Sequence, residues 1–251
     1  MFRDTGPFLS RSKFIPPGYL LAHNRSFTIF FRLVLISGQV DDSDFIELDI
    51  RPAYHDLTDI PDGYPEGSQL RFLATRLRYW TEDSKLDVEE LTLIDINSLS
   101  PRDAFFSPTS WKIGVGAVRS ELSSDRSLAA YLKGGAGFAT RALDGLLFIY
   151  LQGSLQAHRD IHKGYGLGPG LQLGWARQRS ESQTLIQLDY EHYIEGTEIE
   201  TYEFSIQQGF ALSDSSQWMT SFMRRKIGGS EFFDWSPEWV SEWRLEYRHY
   251  F

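Results

Sequence analysis

From residue 26 to the end, the chain alternates apolar and polar residues in segments of about ten, the length a tilted strand needs to cross a bilayer. A strand with this period-two pattern carries one apolar and one polar face. Leu185 to Tyr193 shows it most plainly, with Ile186, Leu188 and Tyr190 on one side and Gln187, Asp189 and Glu191 on the other. The next segment sets Tyr202, Phe204 and Ile206 against Thr201, Glu203, Ser205 and Gln207. Earlier, Leu147, Ile149, Leu151 and Leu155 alternate with Tyr150, Gln152, Ser154 and Gln156, and Ile46, Leu48 and Ile50 with Glu47, Asp49 and Arg51.

A soluble sandwich alternates in the same way, but it buries the apolar face. Here the polar face is ionic in nearly every strand, while the apolar face is rich in Tyr, Trp, Leu and Phe, and 15% of the chain is aromatic. Ionic groups facing an enclosed hollow and rings facing a water–lipid boundary define a membrane barrel. The most apolar segment, Phe27 to Ile36, is interrupted by Arg32 and is far too short for a spanning helix. The expected fold is all-β, a closed antiparallel transmembrane β-barrel of about 12 strands, with ten and fourteen also compatible. The strands are expected at 26–37, 45–54, 69–80, 88–98, 110–119, 128–141, 146–158, 164–178, 183–194, 198–212, 217–227 and 239–251.

Residues 1–25, with Pro7, Pro16 and Pro17, read as a linker or partially ordered segment, and 26–251 as one barrel domain. The location expected is the bacterial outer membrane, although no export signal is visible in this chain. A net charge of −9 speaks against a nucleic-acid partner, and the absence of cysteine removes disulfides and thiolate chemistry. The partners expected are the lipid bilayer, the barrel-assembly machinery and a periplasmic catalytic domain.

The polar faces nominate as lumen charges Glu47, Asp49, Arg51, Arg76, Arg78, Asp189, Glu191, Glu203, Arg244, Glu246 and Arg248. Long opposite charges in a barrel narrower than a general porin are expected to pair across the hollow and fill it. In Gly164 to Ala176 the glycines Gly164, Gly166, Gly168, Gly170 and Gly174 share the inner face, and Pro169 predicts a bulge or distortion. The last strand puts Trp243, Leu245, Tyr247 and terminal Phe251 on one face and is similar to the closing strand that assembly machinery reads in bacterial barrels.

With an even strand count and both termini in the periplasm, the connections 55–68 and 99–109 fall on the periplasmic side, where turns are usually short. Their length nominates docking loops carrying Tyr54, His55, Asp56, Asp59, Tyr64, Ser100, Arg102, Asp103, Phe105 and Phe106. The neighbours His55 and Asp56 do not make a catalytic pair, because adjacent residues of an extended chain diverge. His158 and His162 with Asp160 read as a solvated loop rather than metal ligands, and His192 and His249 as residues near a headgroup boundary. No catalytic residue, metal or cofactor is expected.

Arg51 to Leu57, Gly63 to Gly67, Ser98 to Asp103 with Phe105 and Phe106, and Ser110-Trp111 resemble the C-terminal barrel region of Lnb-like bacterial proteins. The resemblance implies a barrel beneath which an acyltransferase-like, lipoprotein-modifying domain sits. That domain's cysteine nucleophile has no counterpart here, so its activity is not carried over. The function expected is therefore an anchor or scaffold for a periplasmic domain or partner. The alternatives are a transport pore and, behind it, a lipid-acting enzyme or a soluble lipocalin-like binder.

Overall fold

The computed structural model describes residues 31–52, 55–61, 65–123, 125–228 and 239–251. Tyr54, Tyr64 and the 1–25 segment lie outside them. Twelve long strands run in chain order: β1 (Phe31–Val40), β2 (Ser43–Pro52), β3 (Ser68–Trp80), β4 (Lys85–Ser98), β5 (Ser110–Arg119) and β6 (Leu128–Ala142) make the first half. β7 (Gly145–Ala157), β8 (Tyr165–Gln178), β9 (Ser182–Tyr193), β10 (Ile199–Ser213), β11 (Ser216–Gly228) and β12 (Trp239–Tyr250) make the second. Each strand pairs antiparallel with its neighbours, and β12 returns to pair with β1 from Arg32↔Tyr250 to Val40↔Glu242. The amide of Phe251 then donates to the carbonyl of Phe31 at the seam. Closure leaves no sheet edge, which a bilayer requires of a strand protein.

The faces point as the alternation predicts. Leu188 is 51% exposed, Leu245 48% and Trp243 59%, whereas Arg51, Glu47 and Arg78 on the opposite faces are almost wholly enclosed. Apolar groups facing out and ionic groups facing in is the reverse of a soluble sandwich. Outer-wall rings pair across strands, Trp218 with Tyr247 at 5.3 Å and Phe222 with Trp243 at 4.2 Å. Tyr247 and Phe251 thus share the outer wall of the closing strand with Trp243 and Leu245.

The glycine face of β8 makes room for side chains of the neighbouring strand. A Cβ at Gly174 would collide with the Phe148 ring, so this ring occupies the space the glycine leaves. Pro169 pairs with Gly153 of β7 without a register shift. On the other side, pairing with β9 stops at Gly170 and resumes at Leu167 through the short bridge at Glu195–Gly196, so the distortion falls where the ladder is already interrupted.

The alternation of β3 breaks at one residue. Leu73 takes a left-handed φ of +49° and has no partner between the pairs Phe72↔Ile94 and Ala74↔Thr92. Phe72 and Leu73 consequently both face outward, and Arg71 and Arg76 both face inward despite their opposite parity. Leu93 opposite is unpaired in the same way, so the β3–β4 register does not shift here while the parity of the inward face changes on both strands.

The outward apolar face has two measurable consequences. A folded, closed barrel should migrate differently on cold and boiled detergent gels. Leu188→Arg, in the middle of the lipid-facing wall, should lower folding stability in lipid by about 2–4 kcal/mol, while Gln187→Arg on the lumen side should cost far less. Equal loss in a denaturant titration would contradict the assignment of faces.

Candidate functional site: a plugged, charged lumen

The start of β1 and the end of β12 share one end of the barrel, the terminus side, with the connections after β2, β4, β6, β8 and β10. Three of these are tight turns, and the long pair 53–67 and 99–109 stands out against them. The first long connection does not stay outside. Leu57, Thr58 and Asp59 turn into the terminus-side mouth, and each is at most 3% exposed.

Their burial has a cause in the register. Arg32 of β1 lies directly opposite Arg51 of β2, with Tyr250 of β12 on the other side. Two like charges facing each other across strands repel and require an anion between them. Asp59 supplies it: Oδ1 accepts from Arg32 at 2.5 Å, Arg248 at 3.2 Å and the Tyr250 hydroxyl at 2.8 Å, and Oδ2 accepts from Arg51 at 3.1 Å. Thr58 is held at its carbonyl by Gln217 at 2.9 Å and at its hydroxyl by Arg248 at 3.0 Å. Leu57 sits among Leu99, Leu146, Phe148, Tyr150 and Leu185, an apolar cluster inside the mouth. The two long connections meet where the amide of Leu99 donates to the carbonyl of Gly67 at 2.8 Å.

His55 and Asp59 are therefore enclosed in the mouth, where ion pairs and apolar packing hold them, rather than displayed on a docking surface. Asp56 lies beside Arg51 at 3.3 Å and Arg71 at 3.8 Å. Burial pushes its carboxyl up, but Arg51, Arg71, Arg32 and Arg248 together hold it well below the usual carboxylate range. Burial lowers the His55 imidazole, against the pull of Asp59 and Asp56.

The second connection divides in two. Ser100 is tied at its amide to Ser110 Oγ, 3.0 Å away, and Arg102 lies over the Phe138 ring at 3.7 Å. Beyond them the Asp103 carboxylate accepts from the amides of Phe105 and Phe106, both at 2.7 Å, which depresses its pKa. This small turn thrusts Phe105 and Phe106 outward, 91% and 72% exposed.

Deeper in, the predicted lumen charges meet as pairs. Arg78 donates to Glu47 at 2.8 Å and to Glu242 at 3.0 Å, Arg244 joins the same two carboxylates, and Arg248 holds Glu246 at 2.8 Å. Arg76 pairs with Glu90 at 3.1 Å, Arg32 with Asp49 at 3.3 Å, Lys133 with Glu191, and Arg225 with Glu203 at 2.6 Å. Some of these pairs join neighbouring strands and others, Arg78–Glu242, Arg244–Glu47 and Lys133–Glu191, join strands further apart, yet the axis stays hollow, contrary to the expected filling. A cavity of about 450 Å³ occupies the terminus-side half and one of about 300 Å³ the far half. Tyr131, Lys133, Glu203 and Arg225 line both and form the belt between them.

Period-two alternation does not disclose several of these groups. Arg71 lies on the wrong parity until the irregularity at Leu73 is known, and Arg32 is hidden inside an apolar run. Lys112 and Lys133 are the only cations on inner faces made largely of glycines and small residues, and Arg225 is masked by Arg224 and Lys226 beside it.

Among the described residues no group of three His, Asp or Glu gathers as for a metal ion. His158 contacts Asp160 at 3.3 Å, and His249 packs on the outer wall against Phe251.

No curated protein sequence matches the chain. Among solved structures, the NanC porin in a rhombohedral crystal form is similar with a TM-score of 0.52 at 10% identity, over 86% of this chain and 98% of that one. The KdgM porin in complex with disordered oligogalacturonate (TM-score 0.43, 11% identity, 87% and 98% covered) falls below the level at which likeness carries weight. So does OmpT of Vibrio cholerae (0.43, 7%, 88% and 97%). The fold is thus that of a porin-like, outer-membrane β-barrel, as the outward apolar wall independently requires. The family description names no acyltransferase, so the likeness to Lnb-like proteins gains nothing from it. Residues 31–250 match the family described as "Domain of unknown function (DUF7840)", and the chain belongs to that family.

Proposed function

We propose that the barrel is a narrow solute-conducting pore of the outer membrane, closed at its terminus-side, periplasmic mouth by residues 55–59. One observation carries this reading: two cavities with charged residues in their walls lie in line along the lumen and share a belt of Tyr131, Lys133, Glu203 and Arg225. A scaffold would gain from packing that space with apolar side chains, because buried ion pairs are weak stabilisers compared with a well-packed interior. The likeness in fold to the NanC porin agrees with a conducting role. In this reading Asp59 is the latch, and no residue is assigned to catalysis.

The anchor reading survives on a separate observation, the paired rings of Phe105 and Phe106 thrust outward on the terminus side. They are a surface on which a periplasmic, lipoprotein-modifying domain or other partner could rest, with Ser100, Arg102 and Asp103 shaping the turn. Phe105→Asp with Phe106→Asp should leave folding and conductance intact. If the anchor reading holds, the same change should release a bound periplasmic partner into the soluble fraction.

Planar-bilayer recording tests the pore. The wild-type barrel should be mostly silent, and Asp59→Asn, which leaves Arg32, Arg51 and Arg248 without their shared anion, should show frequent unitary openings. Silence of both proteins, with normal heat-modifiable gel migration, would defeat the proposal.

Acidity supplies a second check. His55 resists protonation when buried, so the plug is fully stable above the ordinary histidine pKa of about 6.5 and loosens as pH falls below it. Asp56, whose folded pKa is depressed, adds a further loss only below about pH 4, the ordinary carboxylate range. Open probability should rise between pH 7 and pH 5 in the wild type and stay flat over that interval in His55→Gln. An equal rise in both would assign the response elsewhere.

A further inference from the structure

The two halves of the lumen carry opposite charge balances. Eight cationic side chains face five carboxylates around the terminus-side cavity, and three face five around the far one. Most of these charges are paired within the wall, but at the junction two of them are not. Lys112 of β5 has no carboxylate in ion-pair range among the described residues, and its Nζ donates instead to Gln172 Oε1 at 2.7 Å. Asp189 of β9 has no cation in range among them, and both its oxygens accept from Gln172 Nε2 at 3.0 Å. Lys112 lines the cationic cavity and Asp189 the acidic one.

The glutamine amide therefore spans an unmatched cation and an unmatched anion, its oxygen toward the lysine and its nitrogen toward the aspartate. A neutral dipole placed this way only partly compensates two full charges in a low-dielectric hollow. A solute that compensates both must present a carboxylate to Lys112 and an ammonium to Asp189. Charge-assisted hydrogen bonds to such a solute are stronger than the neutral ones the amide makes.

We propose that the junction of the two cavities, built from Lys112, Gln172 and Asp189, binds a small zwitterion of the amino-acid or short-peptide class. The surroundings leave these two charges to the solute. Lys133 and Arg225 line both cavities and are already engaged by Glu191 and Glu203, and among the described residues, beside Gln172, only the Gln152 amide reaches Asp189, at 3.5 Å. A cavity of about 450 Å³ is within the ordinary size of small-molecule sites. The site deepens the pore reading and rests on it for its role in passage, though binding itself needs no conductance.

Titration calorimetry on the purified barrel in detergent micelles tests it with three probes: alanylalanine, its N-acetylated form, which is only an anion, and its C-terminal amide, which is only a cation. The measurement runs on the wild type and on Asp59→Asn, so that a closed mouth does not hide the site. The zwitterion should bind about tenfold or more tighter than either blocked form, the size expected for losing one charge-assisted hydrogen bond. Lys112→Met should remove that advantage over the amide form, and Asp189→Asn the advantage over the acetylated form. Lys112→Arg, which keeps the charge, should retain much of the advantage and guards against a variant that merely misfolds. Equal affinity for all three probes, or no binding in either preparation, overturns the proposal. Binding without conductance would instead defeat the pore and leave the site standing, and conductance without discrimination would do the reverse.

Discussion

A charge on the lipid side of this sheet has nowhere to find a partner, so the charges near the middle of the strands turn inward, where most are matched within a closed hollow. That constraint explains why Arg32, Arg51 and Arg78, among the largest side chains in the protein, are also among the most completely enclosed. It explains too why ion pairs link neighbouring strands, such as Arg78 with Glu47 and Arg225 with Glu203, and strands further apart, such as Arg78 with Glu242 and Lys133 with Glu191. Pairing of both kinds satisfies most of the charges and still leaves cavities along the axis.

The same demand shapes the terminus-side mouth. The β1–β2 register forces two arginines opposite one another, and the strands around them do not supply enough negative charge. The connection after β2 folds back to provide it. The fold there is thus not a loop resting on a finished barrel but part of its electrostatic closure, with Leu57 anchoring the turn in apolar surroundings and Asp59 meeting the arginines.

Strand type, closure and the direction of the side chains were legible because period-two alternation survives wherever the sheet is regular. The twelve strands, the outward Leu188, Phe204 and Leu245, and the inward Glu47, Asp189 and Arg244 all follow from it. Legibility failed where the period breaks. The left-handed, unpaired Leu73 flips parity and conceals Arg71, and no periodicity reports whether a connection lies over the mouth or enters it. His55 and Asp59 read as exposed for that reason. Their inward placement depends on the facing of Arg32 and Arg51, a long-range register that a local pattern does not contain. The hollow axis escaped notice similarly, since a count of charges says nothing of whether they pair along the wall or across the lumen.

A mouth closed by one shared carboxylate differs from one closed by packing alone. In the proposed pore Asp59 would leave the arginines only if something else answered their charge, so an open state would need a counter-ion or a solute anion at the same place. Opening and occupancy are then linked by mass action: any ligand that favours the unlatched arrangement shifts the balance by its difference in affinity for the two states, and no more. Asp59 engages three guanidiniums and a tyrosine hydroxyl at once, so replacing its carboxylate by a neutral group would weaken all four contacts together. A gate of the proposed kind would respond steeply to the charge of one side chain and only weakly to the bulk of its neighbours.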